Sequence, residues 1–229
     1  RVAELGGLKI VSLEILGKRK VTQGIRLPKK VSEFILRKMI SDTDNIHRVA
    51  GIIGGTTGLG LSAAKALANS GWKIALLGRN PNSLAKALAE VGSVATGIEA
   101  DACKPKSAYN LIDSAIENFG RLDALYHVAG GSARAEGDGP LHEMTDEGWQ
   151  RAIEHNLTSL AYSNRAAVKK FREQEEGGVI LNMGSVLGFS PSPTHFATHA
   201  YATCKAAIIG LTKSIASYYA KDGIRANVI

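Results

Sequence analysis

Val49-Ala50-Gly51-Ile52-Ile53 runs directly into Gly54-Gly55-Thr56-Thr57-Gly58-Leu59-Gly60. A short apolar run followed by clustered glycines predicts a buried strand that ends in a tight turn. Residues 58–70 then carry Leu59, Ala63, Ala66 and Leu67 at helical spacing, which predicts a helix with one apolar stripe. Each glycine has a use in such a unit. Gly54 permits the sharp exit from the strand, Gly58 lets the backbone approach an anion, and Gly60 lets the helix pack closely on the sheet. The helix start presents free N–H groups and a positive dipole end to a pyrophosphate. Thr56 and Thr57 add hydroxyl donors, and Leu59 lies between them and the third glycine. A strand, a glycine turn and a helix in this order read as a dinucleotide site at the head of a βαβ unit.

The same alternation continues outward. Strands are predicted over 74–77, 94–98, 124–128, 179–183 and 224–229. Helices are predicted over 84–91, 111–119, 149–171 and 201–220. Six strands separated by helices predict an α/β fold, a doubly wound parallel sheet in a three-layer sandwich. Residues 49–229 are therefore expected to form one dinucleotide-binding domain. Residues 1–48 do not join the rhythm and form a basic N-terminal extension of unknown structure. A hairpin over 9–22 and a short basic helix over 31–39 are expectations for that extension.

Composition sets bounds. The chain has 229 residues, 45% hydrophobic and 21% charged, enough for one sizeable core. No apolar run approaches the roughly 20 residues that span a bilayer. The formal net charge of +7 does not predict nucleic-acid binding, because of where it lies. Residues 1–50 hold 11 Lys/Arg against 5 Asp/Glu, and residues 51–229 hold 17 against 16. The basic excess belongs to the extension. Cys103 and Cys204 are the only cysteines, too few for a disulfide framework. They fit a reducing, cytoplasmic setting; the chain begins at Arg1, so organellar import stays open as an alternative. None of the six histidines has the company of a metal site, and His195 with His199 is expected to line a loop or the substrate pocket.

The end of the second strand chooses between dinucleotides. An acidic residue there binds a ribose 2′-hydroxyl, and a basic one accepts a 2′-phosphate. This chain reads Leu77-Gly78-Arg79-Asn80, which favours NADP over NAD. Farther on, Tyr201-Ala202-Thr203-Cys204-Lys205 puts a phenol and an ammonium on one helical face. Ser185 lies 16 residues upstream, just past the fifth strand, and Asn156 sits within the long helix before it. A free Tyr has a pKa near 10, and a nearby Lys⁺ is expected to lower it. A serine hydroxyl can hydrogen-bond an oxygen on which charge develops. These residue types suit proton transfer to a carbonyl that accepts hydride.

The spacing Gly54-x-x-x-Gly58-x-Gly60, followed by Asn156, Ser185 and Tyr201-x-x-x-Lys205, resembles the short-chain dehydrogenase/reductase family over about residues 49–229. The resemblance implies an oxidoreductase that moves a hydride between a nicotinamide cofactor and a carbonyl or secondary alcohol. It makes Asn156, Ser185, Tyr201 and Lys205 the catalytic set, with Lys205 also holding the nicotinamide ribose and Asn156 opening its helix. It makes Asp101, in the pair Asp101-Ala102, an adenine contact. Ala129-Gly130 matches the end of the family's Asn-Asn-Ala-Gly signature, while His127 and Val128 replace the two asparagines. That replacement removes a side-chain link between central strands and puts sheet stability in question. Ile53 stands where the family usually has Thr. The family pairs through the two long helices, here 149–171 and 201–220, so a homodimer or homotetramer is expected. The family also continues past the sixth strand into a lid and a seventh strand. The chain stops at Ile229 and reads as truncated there, which keeps a second reading: a catalytically impaired nucleotide-binding sensor or scaffold. The loops 131–148 and 187–198 are expected to frame the substrate pocket.

Overall fold

The computed structural model describes residues 47–192 and 195–229, together with the backbone of two short strands, Glu4–Leu5 and Leu8–Lys9, which pair antiparallel. The expected hairpin over 9–22 and helix over 31–39 lie outside the described residues. The chain divides into two compact units, residues 1–41 and 42–229.

The second unit holds a six-stranded sheet. Its strands are β1 (Val49–Ile53), β2 (Lys73–Gly78), β3 (Ala95–Glu99), β4 (Ala124–His127), β5 (Gly178–Asn182) and β6 (Ile224–Val228). They lie in the order β3-β2-β1-β4-β5-β6 and every pairing is parallel. All five residues of β1 are buried, as a strand covered on both faces requires. The period of two sorts its side chains. Val49 and Ile53 of β1, with Ala75 and Leu77 of β2, pack in one core cluster with Leu111, Ile112, Phe171 and Ile215. Ile52, Ile74 and Leu76 are equally buried but alternate to the other face. Helices therefore cover both sides, as the sequence predicts.

The helices are α1 (Gly58–Asn69), α2 (Pro81–Val91), α3 (Ser107–Phe119), α4 (Asp146–Ala152), α5 (Ser159–Gln174) and α6 (His199–Tyr218). Local chemistry explains where they depart from expectation. α2 starts three residues early because Asn80 accepts a hydrogen bond from Ser83 N (2.9 Å) and Pro81 takes a position that needs no N–H. α3 starts four residues early, with the Ser107 hydroxyl donating to Asp101 O at 2.6 Å. The single helix expected over 149–171 is instead three pieces. A π-helical segment, Ile153–Thr158, separates α4 from α5, and Asn156 lies in its middle.

His127 resolves the doubt about the central strands. It is fully buried at the end of β4, between Ile53 of β1 and Asn182 of β5 in the sheet. Its Nε2 lies 3.1 Å from Ala129 O and its Nδ1 lies 2.7 Å from Ser163 Oγ. A carbonyl only accepts, so in the neutral ring Nε2 carries the proton and Nδ1 is the acceptor facing the Ser163 hydroxyl, which also lies 2.9 Å from Leu160 O. Asn182 on the neighbouring strand exchanges two 2.9 Å hydrogen bonds with Asn164 and donates to Thr212 Oγ1 at 3.0 Å. Buried polar links thus tie the sheet to α5 and α6, with a different set of residues from the one the resemblance supplies.

Burial pushes the His127 imidazole down to about 3, with the positive Lys205 acting in the same direction. In the unfolded chain the ring takes up a proton near pH 6.5. Between these values unfolding binds a proton, so stability falls as pH falls. His127→Asn should remove up to about one proton from this dependence, a slope change of about 1.4 kcal/mol per pH unit. Urea unfolding from pH 4 to 7 checks it; an unchanged slope in the variant contradicts the buried neutral ring.

Candidate active site

Strand order reverses at β1 and β4, and the functional residues named from the sequence gather at the carboxyl ends beside that reversal. The turn after β1 is held by two hydrogen bonds, from Gly54 N and Gly55 N to Leu77 O (2.9 and 3.1 Å). Gly54 has φ +85, and a Cβ there would sit 2.8 Å from Ala129 N. At Gly60 a Cβ would meet Gly54 O at 2.2 Å, so α1 starts directly against the turn. Gly58 is exposed at φ +51 with open space where a side chain would stand. Thr57, at the N-cap of α1, makes no side-chain cap hydrogen bond, and the first turn holds no acidic residue. The start of α1 is therefore a bare, positively polarised helix end.

This turn opens into a groove of about 390 Å³. Gly54, Thr56, Thr57, Gly58, Leu59 and Gly60 line one part of it, Arg79, Asp101 and Ala102 another, and Ala129 and Gly130 a third. Arg79 is exposed at the end of β2. Asp101 accepts from Cys103 N at 3.0 Å. Burial works to raise its pKa, but this amide and the positive Arg79 and Arg151 outweigh it and hold the carboxyl below its usual value. A cradle without side chains, an open helix start and a groove between strand ends fit a dinucleotide. His155 also lines the groove, and its pKa is lowered by burial, with Arg151 and Arg79 adding to the effect. The sequence reading passed over His155 as a groove residue, although its place beside Asn156 was a signal.

Beyond the groove, Tyr201, Ser185 and Lys205 meet. Ser185 follows β5 and starts a 3₁₀ turn, accepting from Leu187 N at 3.2 Å. Its side chain is near enough to the Tyr201 phenol to lower that group's pKa. Lys205 is 3% exposed. Its Nζ lies 5.4 Å from the centre of the Tyr201 ring and donates to Met183 O at 2.8 Å. Asn156 is fully buried. Its Nδ2 donates to Gly131 O (2.9 Å) and Ala152 O (3.0 Å), and its Oδ1 accepts from Gly131 N (3.1 Å). The bond to Ala152 O satisfies a carbonyl beside the π-helical segment. Asn156 and Lys205 do not touch Tyr201 together. They flank Gly130, where a Cβ would lie 2.7 Å from Asn156 Oδ1 and 3.7 Å from Lys205 Nζ.

The electrostatics correct one expectation. Lys205 was expected to pull the Tyr201 phenol down. Burial instead raises it above its usual value, partly offset by the Ser185 side chain. Burial pulls the Lys205 ammonium down to about 8. Both shifts have one cause, the cost of a charge away from water, and the ammonium points its hydrogen bond at a carbonyl rather than at the phenol. His195 and His199 are both exposed. Among the described residues no group of three His, Cys, Asp or Glu is placed to hold a metal ion.

Residues 48–229 match the family model described as short chain dehydrogenase. The chain belongs to the short-chain dehydrogenase/reductase family. It is 34% identical over 185 residues to 3beta-hydroxysteroid dehydrogenase 2 of Eggerthella lenta, covering 80% of this chain and 69% of that protein. It is 32% identical over 185 residues to cis-4-hydroxycyclohexanecarboxylate dehydrogenase of Sinomonas cyclohexanicum, with 80% and 72% covered. Among solved structures, an NAD+-bound xylitol dehydrogenase superposes with a TM-score of 0.73 at 28% identity, over 81% of this chain and 70% of that one. The protein is thus a short-chain oxidoreductase that moves hydride between a nicotinamide cofactor and an alcohol or carbonyl group. No helix among the described residues is long and apolar enough to cross a membrane.

Proposed function

We propose that Tyr201 is the proton donor, Ser185 the hydrogen-bond donor to the substrate oxygen, Lys205 the cation behind the phenol, and Asn156 the residue that keeps the helix open beside them. The observation that carries this reading is the meeting of Tyr201, Ser185 and the buried Lys205 next to the glycine cradle. A nicotinamide cofactor bound in the groove supplies the hydride for reduction or takes it up in oxidation. Gly58, Thr56, Thr57 and the start of α1 hold its phosphates, Asp101 and Ala102 border its adenine, and Ala129, Gly130 and Lys205 meet its nicotinamide half. As a carbonyl turns into an alkoxide, Ser185 stabilises the oxygen and Tyr201 gives it a proton. The raised phenol keeps that proton at neutral pH until it is needed. Lys205, its ammonium near 8, is largely charged at neutral pH and stabilises the phenolate left behind. Exposed Val186, Phe189 and Phe196 give the loops near Ser185 and Tyr201 an apolar rim, which suits the carbon skeleton of a small carbonyl or secondary alcohol. The free, buried Cys103 and Cys204 fit a reducing, cytoplasmic setting.

We further propose NADP as the preferred cofactor, on the strength of Arg79 at the end of β2, where the segment Leu77-Gly78-Arg79-Asn80 holds no carboxylate. The protein also pairs with a second copy of itself, as a homodimer or homotetramer. Val168 of α5 with Leu211 and Ile215 of α6 line an open groove of about 530 Å³ together with Arg165, Lys169, Arg172 and Glu173, a mix of apolar and charged groups that copies of one chain can bury against each other.

Three measurements test these statements. Tyr201→Phe should lower turnover by roughly 100- to 10,000-fold with cofactor affinity almost unchanged, because only a hydroxyl is lost. Lys205→Ala should damage both turnover and cofactor binding; full turnover by the Phe variant would remove Tyr201 from the role. In fluorescence titrations NADPH should bind more tightly than NADH, and Arg79→Asp should weaken NADPH by about tenfold or more. Tighter NADH binding by the parent chain would reverse the cofactor assignment. Light scattering at micromolar concentration should give twice or four times the chain mass, and a monomer would count against assembly through α5 and α6.

A further inference from the structure

Helix α6 carries Tyr201 in its first turn, and that turn is capped from far away in sequence. Thr198, in the N-cap position, makes no side-chain cap hydrogen bond. The amides of Ala200 and Tyr201 donate instead to Oδ1 and Oδ2 of Asp138, each at 3.0 Å, across 62 and 63 residues of chain. Asp138 is 3% exposed. A helix start leaves its first N–H groups without intrahelical partners. A carboxylate that accepts two of them also meets the positive end of the helix dipole, which makes these bonds strong.

The acceptor is itself fixed. Gly137, at φ +103, turns the loop after the 3₁₀ turn Arg134–Glu136. Asp138 N donates to Ala133 O at 2.9 Å, and Thr145 N donates to Gly137 O at 3.1 Å. A Cβ on Gly148 would lie 2.4 Å from Asp138 N, so the first turn of α4 presses on the backbone of Asp138. His199 Nδ1 donates to Gly139 O at 2.9 Å. The loop is thus clamped between α4 on one side and the start of α6 on the other.

We propose that Asp138 is a positioning residue for Tyr201: it holds the first turn of α6 in the place that sets the phenol beside Ser185. The proposal rests on Tyr201 being the proton donor. Asp138 meets the backbone of Tyr201 and none of the reacting atoms, so its removal acts on turnover and leaves the cofactor groove alone. Asparagine has the same size but one acceptor, and its amide nitrogen would face one of the two N–H donors.

A double-mutant cycle tests it. Asp138→Asn should lower kcat about tenfold, as a small misplacement of a reacting group does. Substrate KM and the dissociation constant for NADPH should stay within about twofold of the parent values. In the Tyr201→Phe background the same substitution should cost no further residual turnover, because the phenol it positions is gone. Asp138→Ser, which keeps one short acceptor, provides the same cycle if the Asn variant does not fold. An equal loss in both backgrounds overturns the proposal alone. So does a lower Tm with kcat unchanged at a temperature well below it. Full turnover by Tyr201→Phe by itself would overturn the Tyr201 assignment and this proposal with it.

Discussion

Strand β1 has neighbours added in opposite directions, β2 and β3 on one side and β4 to β6 on the other. Right-handed crossovers from such a strand must leave toward opposite faces. The connections after β1 and β4 therefore diverge, and a crevice stays open above their carboxyl ends. Every element of the site uses this one opening. Gly54 leaves β1, Arg79 leaves β2, Asp101 follows β3, Ala129 leaves β4 and Ser185 follows β5. The sheet acts as a ruler. Because each register is fixed by parallel pairing, five loops that are distant in sequence end at one level.

The same opening creates a polar problem at the top of the core. Backbone groups leave the ladder there, beside side chains that water does not reach. The chain answers with internal partners. Val128 N and Ala129 N both donate to Ile53 O, and the His127 ring supports the Ala129 carbonyl from beneath. Met183 O receives Lys205, and Ala152 O receives Asn156. An unpaired buried group costs about 1–3 kcal/mol, so each of these side chains stabilises the fold as well as bordering the site. Asn156 illustrates the coupling. The π-helical segment that displaces it from a regular helix is also what aims its amide at Gly131.

Periodicity carried most of this architecture. Apolar runs bounded by glycine marked all six strands within about a residue at each end, and the glycine turn marked the ligand end of the sheet. Spacing carried the site, since Tyr201 and Lys205 share a face in any helix. What stayed hidden depends on contacts between distant residues. Nothing local distinguishes a π-helical segment from a helix, so 149–171 read as one element. His127 read as a lost asparagine because its partners, Ser163 and the Ala129 carbonyl, meet it only in the folded sheet. Asp138 lies within the loop 131–148, and nothing in its neighbourhood in sequence marks it. Its amide partners lie 62 and 63 residues on, at a separation where sequence pattern says nothing.

Burial also bears on the proton chemistry proposed for Tyr201, Ser185 and Lys205. The sequence alone invites a picture in which a lysine charge loosens the tyrosine proton in the resting protein. The folded chain has the opposite balance: the phenol is raised and the ammonium is lowered to about 8, because burial disfavours any charge. A neutral phenol is the form a proton donor needs before reaction. Charge then develops only as the substrate oxygen takes on negative character, and that is when a fixed hydroxyl from Ser185 and a nearby ammonium act most strongly. Ser185 has a double part in this. It already lowers the phenol against the pull of burial, so in the proposed reaction the residue that would stabilise the substrate oxygen would also set how readily Tyr201 releases its proton. Positions matter more than resting pKa values in such a site, since each donor must already stand where the charge will appear. That places the demand on the first turn of α6 and on the short turn after β5, the two pieces of backbone that carry these hydroxyls.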